Sequence, residues 1–360
     1  MIGFILRRLA IAIVLLWIVS VVTFFLYLKV PEDPASFVVD VQHATPAQIA
    51  EARHALGVDA PVTTQYAKFV WRALHGDFGT SWATVSFFSG EVVGEAVGPM
   101  VWDAAKVTAS LAVGGLVLML LVAIPLGTLA AARPRSWLDR ISIALGLAAI
   151  STHPLVLALL LQLFVGNRWE IAPASGYCPL FGSAPEPPPP GVVTPTGGMC
   201  GGPVDWATHL LLPWATFALF FVALYMRVAR ARMLEVLEEP YIRTARAKGA
   251  SELRVVGGHA LRNGISPIVT MIAMDAGLAI GIAMYVETVF GLPGLGRTTI
   301  YALGNQQGID LPVILAVTLV AAAAVILLNL VVDLVLVGID PRITRGGARA
   351  DARTGSAAAA

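Results

Sequence analysis

The residues whose types and spacing are best suited to chemistry lie in one polar stretch, Glu238 to Pro267, between two strongly apolar segments. Its sequence, EEPYIRTARAKGASELRVVGGHALRNGISP, is dense in positive charge. Pro240 suits the first position of a helix, the glutamates before it suit the positive end of a helix, and Gly249 suits a helix stop. We therefore predict a short amphipathic helix whose chemistry is the recognition of another surface.

That helix has one side of small or apolar residues and a basic rim. The small or apolar residues are Tyr241, Ile242, Ala245 and Gly249. The basic residues that flank them are Arg243, Arg246 and Lys248. Two interpretations fit this pattern: a helix that docks on a partner protein, or a helix that lies at the membrane interface and binds anionic lipid.

The composition predicts the elements that position this stretch. The chain has 360 residues, of which 57% are hydrophobic and 13% charged, whereas soluble domains have about 25% charged residues. Apolar runs of about 20 residues, long enough to cross a bilayer, recur along it. We predict an all-α polytopic membrane protein with six transmembrane helices, at roughly residues 7–28, 106–131, 139–165, 207–228, 265–290 and 311–337.

The lysines and arginines orient these spans. With a cytoplasmic N-terminus, most of the 24 basic residues fall in the inner segments, although the outer segments are longer. We therefore predict a multi-pass protein of the cytoplasmic membrane with both termini in the cytoplasm. The net charge of +1 gives no reason to expect nucleic-acid binding.

The spans divide the chain into a first helix, a small extracytoplasmic domain, a core and a tail, at residues 1–30, 31–105, 106–337 and 338–360. Within the core, residues 166–206 form a proline-rich outer hairpin and residues 229–264 an inner loop that contains the basic stretch. We expect the tail to be disordered, with its arginines near anionic lipid.

The only two cysteines, Cys178 and Cys200, flank the proline-rich segment. Outside the cytoplasm they can form a disulfide that closes the hairpin, and the alternative is two free thiols. Two cysteines without a histidine cluster do not suggest a metal site.

Several stretches resemble the permease subunits of dipeptide and oligopeptide ABC importers, namely the B-type subunit of the binding-protein-dependent transport family. The segment YIRTARAKGASELRVVGGHALRNGISPIVT is similar to the cytoplasmic signature loop of that family. The pieces GDFGTS, VETVFGLPGLGR and GIDPRI follow in the family's order. The resemblance covers most of the chain apart from the proline-rich insert and the tail, and it implies the type I importer permease fold.

The resemblance implies that the helix from Tyr241 to Gly249 is a coupling helix that docks in a groove of a cytoplasmic ATPase. One departure is visible. Where the wider family has a Glu-Ala-Ala triplet, this chain has Arg243, Thr244 and Ala245, so a basic residue stands where an acidic contact is made elsewhere.

The sequence predicts that ATP is hydrolysed by another chain. None of the lysines follows a glycine, as the lysine of a phosphate-binding loop does, and no catalytic or metal-ligand set is apparent. We expect a non-catalytic subunit without a cofactor of its own, and ATP and Mg bound by partners.

The implied function is ATP-driven import of di- or oligopeptides by alternating access. The implied partners are a homologous second permease, one or two ATPase chains, an extracytoplasmic substrate-binding protein and membrane lipid. The alternatives are an ion-coupled secondary transporter, an intramembrane enzyme, and an ABC permease for a nickel chelate or glutathione.

Four polar residues lie inside or at the ends of the predicted spans, where charge is costly: Asp275, Glu287, Asn329 and Asp333. Glu287 lies near the outer end of the fifth span, where we expect partial hydration. Two roles are open for Asp275, which lies near mid-membrane. It lines the translocation path and contacts a peptide amino group, or it makes an interhelical hydrogen bond or an ion pair with a partner subunit.

Overall fold

The structure, a computed structural model, describes residues 2–28, 45–56, 59–84, 86–88, 91–134, 136–137, 140, 144, 152–182, 184–185, 199–304 and 309–339. The long helices in these ranges are α1 (Ile2–Leu28), α4 (Val97–Ala132), α6 (Pro203–Leu237), α10 (Ser266–Phe290) and α12 (Leu311–Ile339). The shorter ones are α2 (Pro46–Leu56), α3 (Val62–Leu74), α5 (Pro154–Leu161), α7 (Pro240–Ala247), α8 (Glu252–Arg254), α9 (Leu261–Gly264) and α11 (Leu295–Leu303). Two π-helical segments, Gln162–Arg168 and Val255–Ala260, continue α5 and α8.

Four very short strands lie outside the predicted spans. Strand β1 (Ser86–Phe88) pairs antiparallel with β2 (Glu91–Val93), and β3 (Ala184–Pro185) with β4 (Met199–Cys200). The predicted all-α class is confirmed, with these two hairpins as minor additions.

Five helices of the described chain are long and apolar enough to cross a membrane: α1, α4, α6, α10 and α12. The third predicted span, 139–165, lies mostly outside the described residues, and its last part forms a shorter apolar helix over Pro154–Arg168. The count of six spans therefore stays a prediction. The middle of the proline-rich hairpin and the tail from residue 340 also lie outside the described residues.

Two helices continue beyond the predicted spans, so the helix ends differ from the span ends while the membrane boundaries stay predictions. Helix α4 begins at Val97 instead of 106, and its first turns carry an exposed ion pair between Asp103 and Lys106. Helix α6 continues to Leu237 instead of ending at 228, so the start of the predicted inner loop belongs to a rigid helix.

The chain falls into two compact units. One comprises residues 7–109 and 293–326. Its apolar core is formed by Val97, Val101, Ala104, Leu295, Ala302, Val313, Ala316 and Val317. In the same unit α3 packs on α1, because Phe24 stacks on Phe69 and the hydroxyls of Ser20 and Tyr66 are 2.9 Å apart.

A buried carboxylate joins two segments of this first unit. Asp310 is 3% exposed and precedes α12. It accepts hydrogen bonds from the Ser81 hydroxyl and from the backbone N–H groups of Trp82 and Ala83, each N–H at 3.2 Å. Buried polar groups are normally satisfied in this way, and here the bonds fix the 81–83 segment to the start of α12.

The other unit comprises residues 1–6, 110–292 and 327–360. Helices α4 and α6 approach closely through glycines. A Cβ at Gly114 would lie 2.1 Å from the Trp214 ring, and one at Gly127 would lie 2.6 Å from the carbonyl oxygen of Met226. Small residues permit this contact between membrane helices. The Trp214 indole also donates to the carbonyl of Ser110 at 2.9 Å.

At one end of the second unit, side chains connect separate segments. Cys178 and Cys200 are joined in a disulfide, with their Cα atoms 5.6 Å apart. The Gln162 amide donates to the carbonyl oxygens of Ala174 and Val289, at 3.0 and 2.8 Å. These bonds connect the end of α5 with the end of α10.

Candidate functional site

The short helix predicted before Gly249 is present as α7, and its end is a Schellman motif. The N–H of Gly249 donates to the carbonyl of Arg246 at 2.9 Å, and the N–H of Ala250 donates to the carbonyl of Ala245 at 3.2 Å. Gly249 has φ +82°, in the left-handed region that favours glycine. A Cβ there would meet nothing within 4 Å, so glycine is required for backbone conformation and not for close approach.

Two of the four small or apolar residues of α7, Ile242 and Ala245, face the protein itself, whereas Tyr241 and Gly249 are exposed. Ile242 is 0% exposed and belongs to a cluster with Ala131, Met233, Val255 and Ala260, against which Ala245 packs. The expectation that this side is free for a partner is therefore wrong for Ile242 and only partly met by Ala245. The physical reason is that the end of α6 and the π-helical segment after α8 provide a core for it.

The side of α7 that faces solvent is basic and polar. Tyr241, Arg243, Arg246 and Lys248 are exposed. The Asn263 amide donates to the Tyr241 hydroxyl at 2.8 Å. Arg246 forms a two-bond ion pair with Glu252, at 2.7 and 3.3 Å, which fixes the loop after the helix.

Two cations of α7 remain available to a partner. Within the described residues, Arg243 and Lys248 make no ion pair. The outward surface of α7 therefore carries positive charge at both residues. The structure thus separates an inward apolar anchor from an outward basic surface on one short helix.

The polar residues of the predicted spans lie in different surroundings. Asp275 on α10 is half-buried, and its carboxylate accepts a 2.9 Å hydrogen bond from the Tyr225 hydroxyl on α6. Asn329 and Asp333 are half-buried on α12. Glu287 is 0% exposed, so the expected partial hydration is wrong. Helix α10 ends just beyond it, where the N–H of Leu292 donates to the backbone carbonyl of Glu287.

Sequence reasoning did not identify Tyr225 or Asp310. Tyr225 lies in an apolar span with Phe217 and Phe221, and no spacing rule pairs it with a residue 50 positions away. Asp310 directly precedes α12, and an aspartate at that position is a signal in the sequence, although its carboxylate accepts from Ser81, Trp82 and Ala83. No group of three residues able to hold a metal ion occurs in the described part of the chain.

Sequence profiles decide the family. The profile of the binding-protein-dependent transport system inner membrane component matches residues 123–345, and that of the N-terminal part of this component matches residues 1–112. The chain belongs to this binding-protein-dependent transport family.

Curated members of the binding-protein-dependent transport family align along almost the whole chain. The dipeptide transport system permease protein DppB of Escherichia coli K12 is 35% identical over 347 residues, 95% of this chain and 99% of the relative. A putative peptide transport system permease protein of Brucella abortus is 32% identical over 343 residues, and a putative peptide permease protein of Brucella suis is 34% identical over 345. Both alignments also cover 95% of this chain and 99% of the relative.

The membership confirms the prediction of an ABC permease subunit, and the apolar helices confirm a multi-pass membrane protein. Membership in a family of membrane permease components is consistent with the predicted non-catalytic role.

Proposed function

We propose that this chain is the permease subunit of an ABC importer that carries di- or oligopeptides across the cytoplasmic membrane. The observation that carries the proposal is its alignment, over 99% of their length, with permeases whose names denote dipeptide or peptide transport. An ion-coupled mechanism is not favoured, because the family is defined by its dependence on a binding protein.

The partners follow from the proposed role: a second permease, ATPase chains that bind ATP and Mg, and an extracytoplasmic substrate-binding protein. The basic side of α7 supports docking on an ATPase. Its inward residue Ile242 holds the helix to the end of α6, so a push on the exposed side would move α6 as one body. Such rigid coupling suits alternating access between inward- and outward-open states.

The orientation of the chain is part of the proposal. With both termini in the cytoplasm, α7 lies on the ATPase side, and the hairpin closed by Cys178 and Cys200 lies outside. The disulfide supports this arrangement, because disulfides persist in oxidising compartments. The first outer segment and this hairpin are then the surfaces available to a binding protein.

The test of function is uptake by a strain that lacks this gene and by its complemented counterpart. We expect uptake of labelled di- or oligopeptides to fall on deletion and to return on complementation, while uptake of a labelled free amino acid stays unchanged. Labelled glutathione and a nickel chelate provide the alternative substrates. Unchanged peptide uptake on deletion would contradict the proposal.

Charge reversal on α7 tests the coupling surface. In the double variant Arg243→Glu, Lys248→Glu we expect at least about a tenfold loss of uptake and of ATPase co-purification, because like charges across an interface cost several kcal/mol. The matched control is the double variant Arg243→Lys, Lys248→Arg, which keeps both positive charges on α7 and should keep uptake. Wild-type uptake in the double variant would show that α7 does not meet an acidic surface.

A further inference from the structure

Asp275 has an unusual set of partners for a carboxylate in a membrane helix. Within the described residues its one hydrogen bond comes from the Tyr225 hydroxyl, which reaches the Oδ2 atom, and no lysine or arginine pairs with it. The other oxygen, Oδ1, has no hydrogen-bond donor among these residues. A charged residue in a membrane span normally faces a counter-charge or water. Since Asp275 has no counter-charge among the described residues, its Oδ1 atom can accept a hydrogen bond from a bound group.

The carboxylate borders a cavity of about 80 Å³ inside the second unit. The walls come from α4, α6, α10 and α12, and they are almost wholly apolar apart from Asp275 and Tyr225. Three aromatic rings lie on the α6 side: Phe217, Phe221 and Tyr225. The cavity therefore combines one acceptor group with ring faces and aliphatic walls.

These surroundings favour a ligand that has a positively charged group attached to apolar carbon atoms. An anion would be repelled by Asp275, and a divalent metal would need several more oxygen ligands, which the described residues do not provide. An ammonium group has three N–H donors, one of which can donate to Oδ1, and its positive charge is attracted to aromatic faces. The aliphatic walls suit the carbon atoms attached to such a group.

We propose that Asp275, positioned by Tyr225, binds the ammonium group of a peptide during its passage through the permease. The proposal rests on the proposed function, since it takes a peptide as the cargo. It assigns to this cavity a transient site for the N-terminus or a lysine side chain, with the neighbouring apolar side chain on the cavity wall.

Asp275→Asn is the decisive variant, because the asparagine oxygen still accepts the Tyr225 hydrogen bond while the negative charge is lost. We expect the maximal rate of peptide uptake to fall about tenfold or more, in line with a charged hydrogen bond. The KM for uptake should change little, because the separate binding protein sets the capture of peptide. Asp275→Glu should keep much of the rate.

The matched control is Glu235→Gln, which removes an exposed carboxylate from α6. Co-purification of the second permease and the ATPase is measured for each variant. Wild-type uptake in Asp275→Asn would overturn the proposal. A loss of uptake together with loss of the second permease would also overturn it, because Asp275 would then be an ion-pair partner of that subunit.

Different strains test the proposed function and the ammonium site. If the strain with the unaltered chain takes up no peptide, the proposed function is wrong and this site falls with it. If that strain transports peptides and Asp275→Asn does so equally well, only the ammonium site is wrong.

Discussion

Asp310 and Asp275 show two ways in which this chain holds a carboxylate away from bulk water. Asp310 accepts hydrogen bonds at both oxygens, from Ser81, Trp82 and Ala83. Asp275 has one donor, Tyr225, and borders an apolar cavity. The difference teaches that a carboxylate saturated by its own chain is structural, whereas a carboxylate with a free oxygen can take part in binding.

The two residues also differ in what their donors connect. The donors of Asp310 lie on three successive residues, so the bond set fixes the backbone of one segment to the start of a helix. The donor of Asp275 is a single side chain on α6, and it fixes only the carboxylate's position. Loss of Asp310 should therefore affect folding, and loss of the Asp275 charge should affect transport.

The largest effect is expected for Asp310→Ala. Two backbone N–H groups and the Ser81 hydroxyl lose their acceptor in a buried site, which should lower the free energy of unfolding by on the order of 3 kcal/mol or more. We expect a much lower amount of protein in the membrane and a lower apparent melting temperature in detergent. The control is Asp275→Ala, which should lower the melting temperature far less.

Ser81→Ala sharpens this prediction. As a single variant it removes one of the three donors to Asp310 and should lower the free energy of unfolding by about 1 to 2 kcal/mol. In the Asp310→Ala background it should lower that free energy little further, because the effects of interacting residues are not additive. Additive losses in the double variant would mean that Ser81 stabilises the unit through other contacts and not through Asp310.

The features that could be predicted from the sequence are those that depend on the local spacing of residues. The apolar spans and the amphipathic helix before Gly249 follow from the spacing of apolar residues and from helix caps. The family resemblance, confirmed by the profiles, follows from the order of several motifs. The orientation of the termini and the substrate stay predictions.

Features that depend on distant contacts were beyond the sequence. The inward side of α7 is fixed by Met233 and Val255, which lie on other elements, so the pattern alone gives an apolar side without its partner. The bond between Tyr225 and Asp275 joins residues 50 apart, and that between Ser81 and Asp310 joins residues 229 apart. Helix ends such as Val97 were missed because charged turns continue an apolar helix.

A smaller effect is expected for Tyr225→Phe, which tests the other half of the comparison. The variant loses one hydroxyl and keeps the ring on the cavity wall, so the free energy of unfolding should fall by about 1 kcal/mol or less. The rate of peptide uptake should fall clearly although the melting temperature hardly changes, because Asp275 loses the hydrogen bond that positions it. An opposite ranking, with low stability and a normal rate, would make Tyr225 a structural residue like Ser81.

The smallest effect is expected for an exposed carboxylate, Asp77, which pairs with Arg72 at 2.8 Å. The hydrogen bond from Arg72, together with that from the Gly79 N–H, outweighs partial burial and holds the pKa of Asp77 below its ordinary 3.8. Because a lowered pKa stabilises the ionised folded state, the contribution is present above pH 3.8 and is lost as pH falls through the lower folded pKa.

Since the side chains of Asp77 and Arg72 are both about half exposed, Asp77→Asn should lower the free energy of unfolding by well under 1 kcal/mol at neutral pH. The check is the apparent melting temperature of the wild type and of Asp77→Asn between pH 3 and 7. We expect a small difference at pH 7 that shrinks below pH 3.8. A difference that stays constant with pH would mean that Asp77 acts by hydrogen-bond geometry, which asparagine reproduces poorly, and not by its charge.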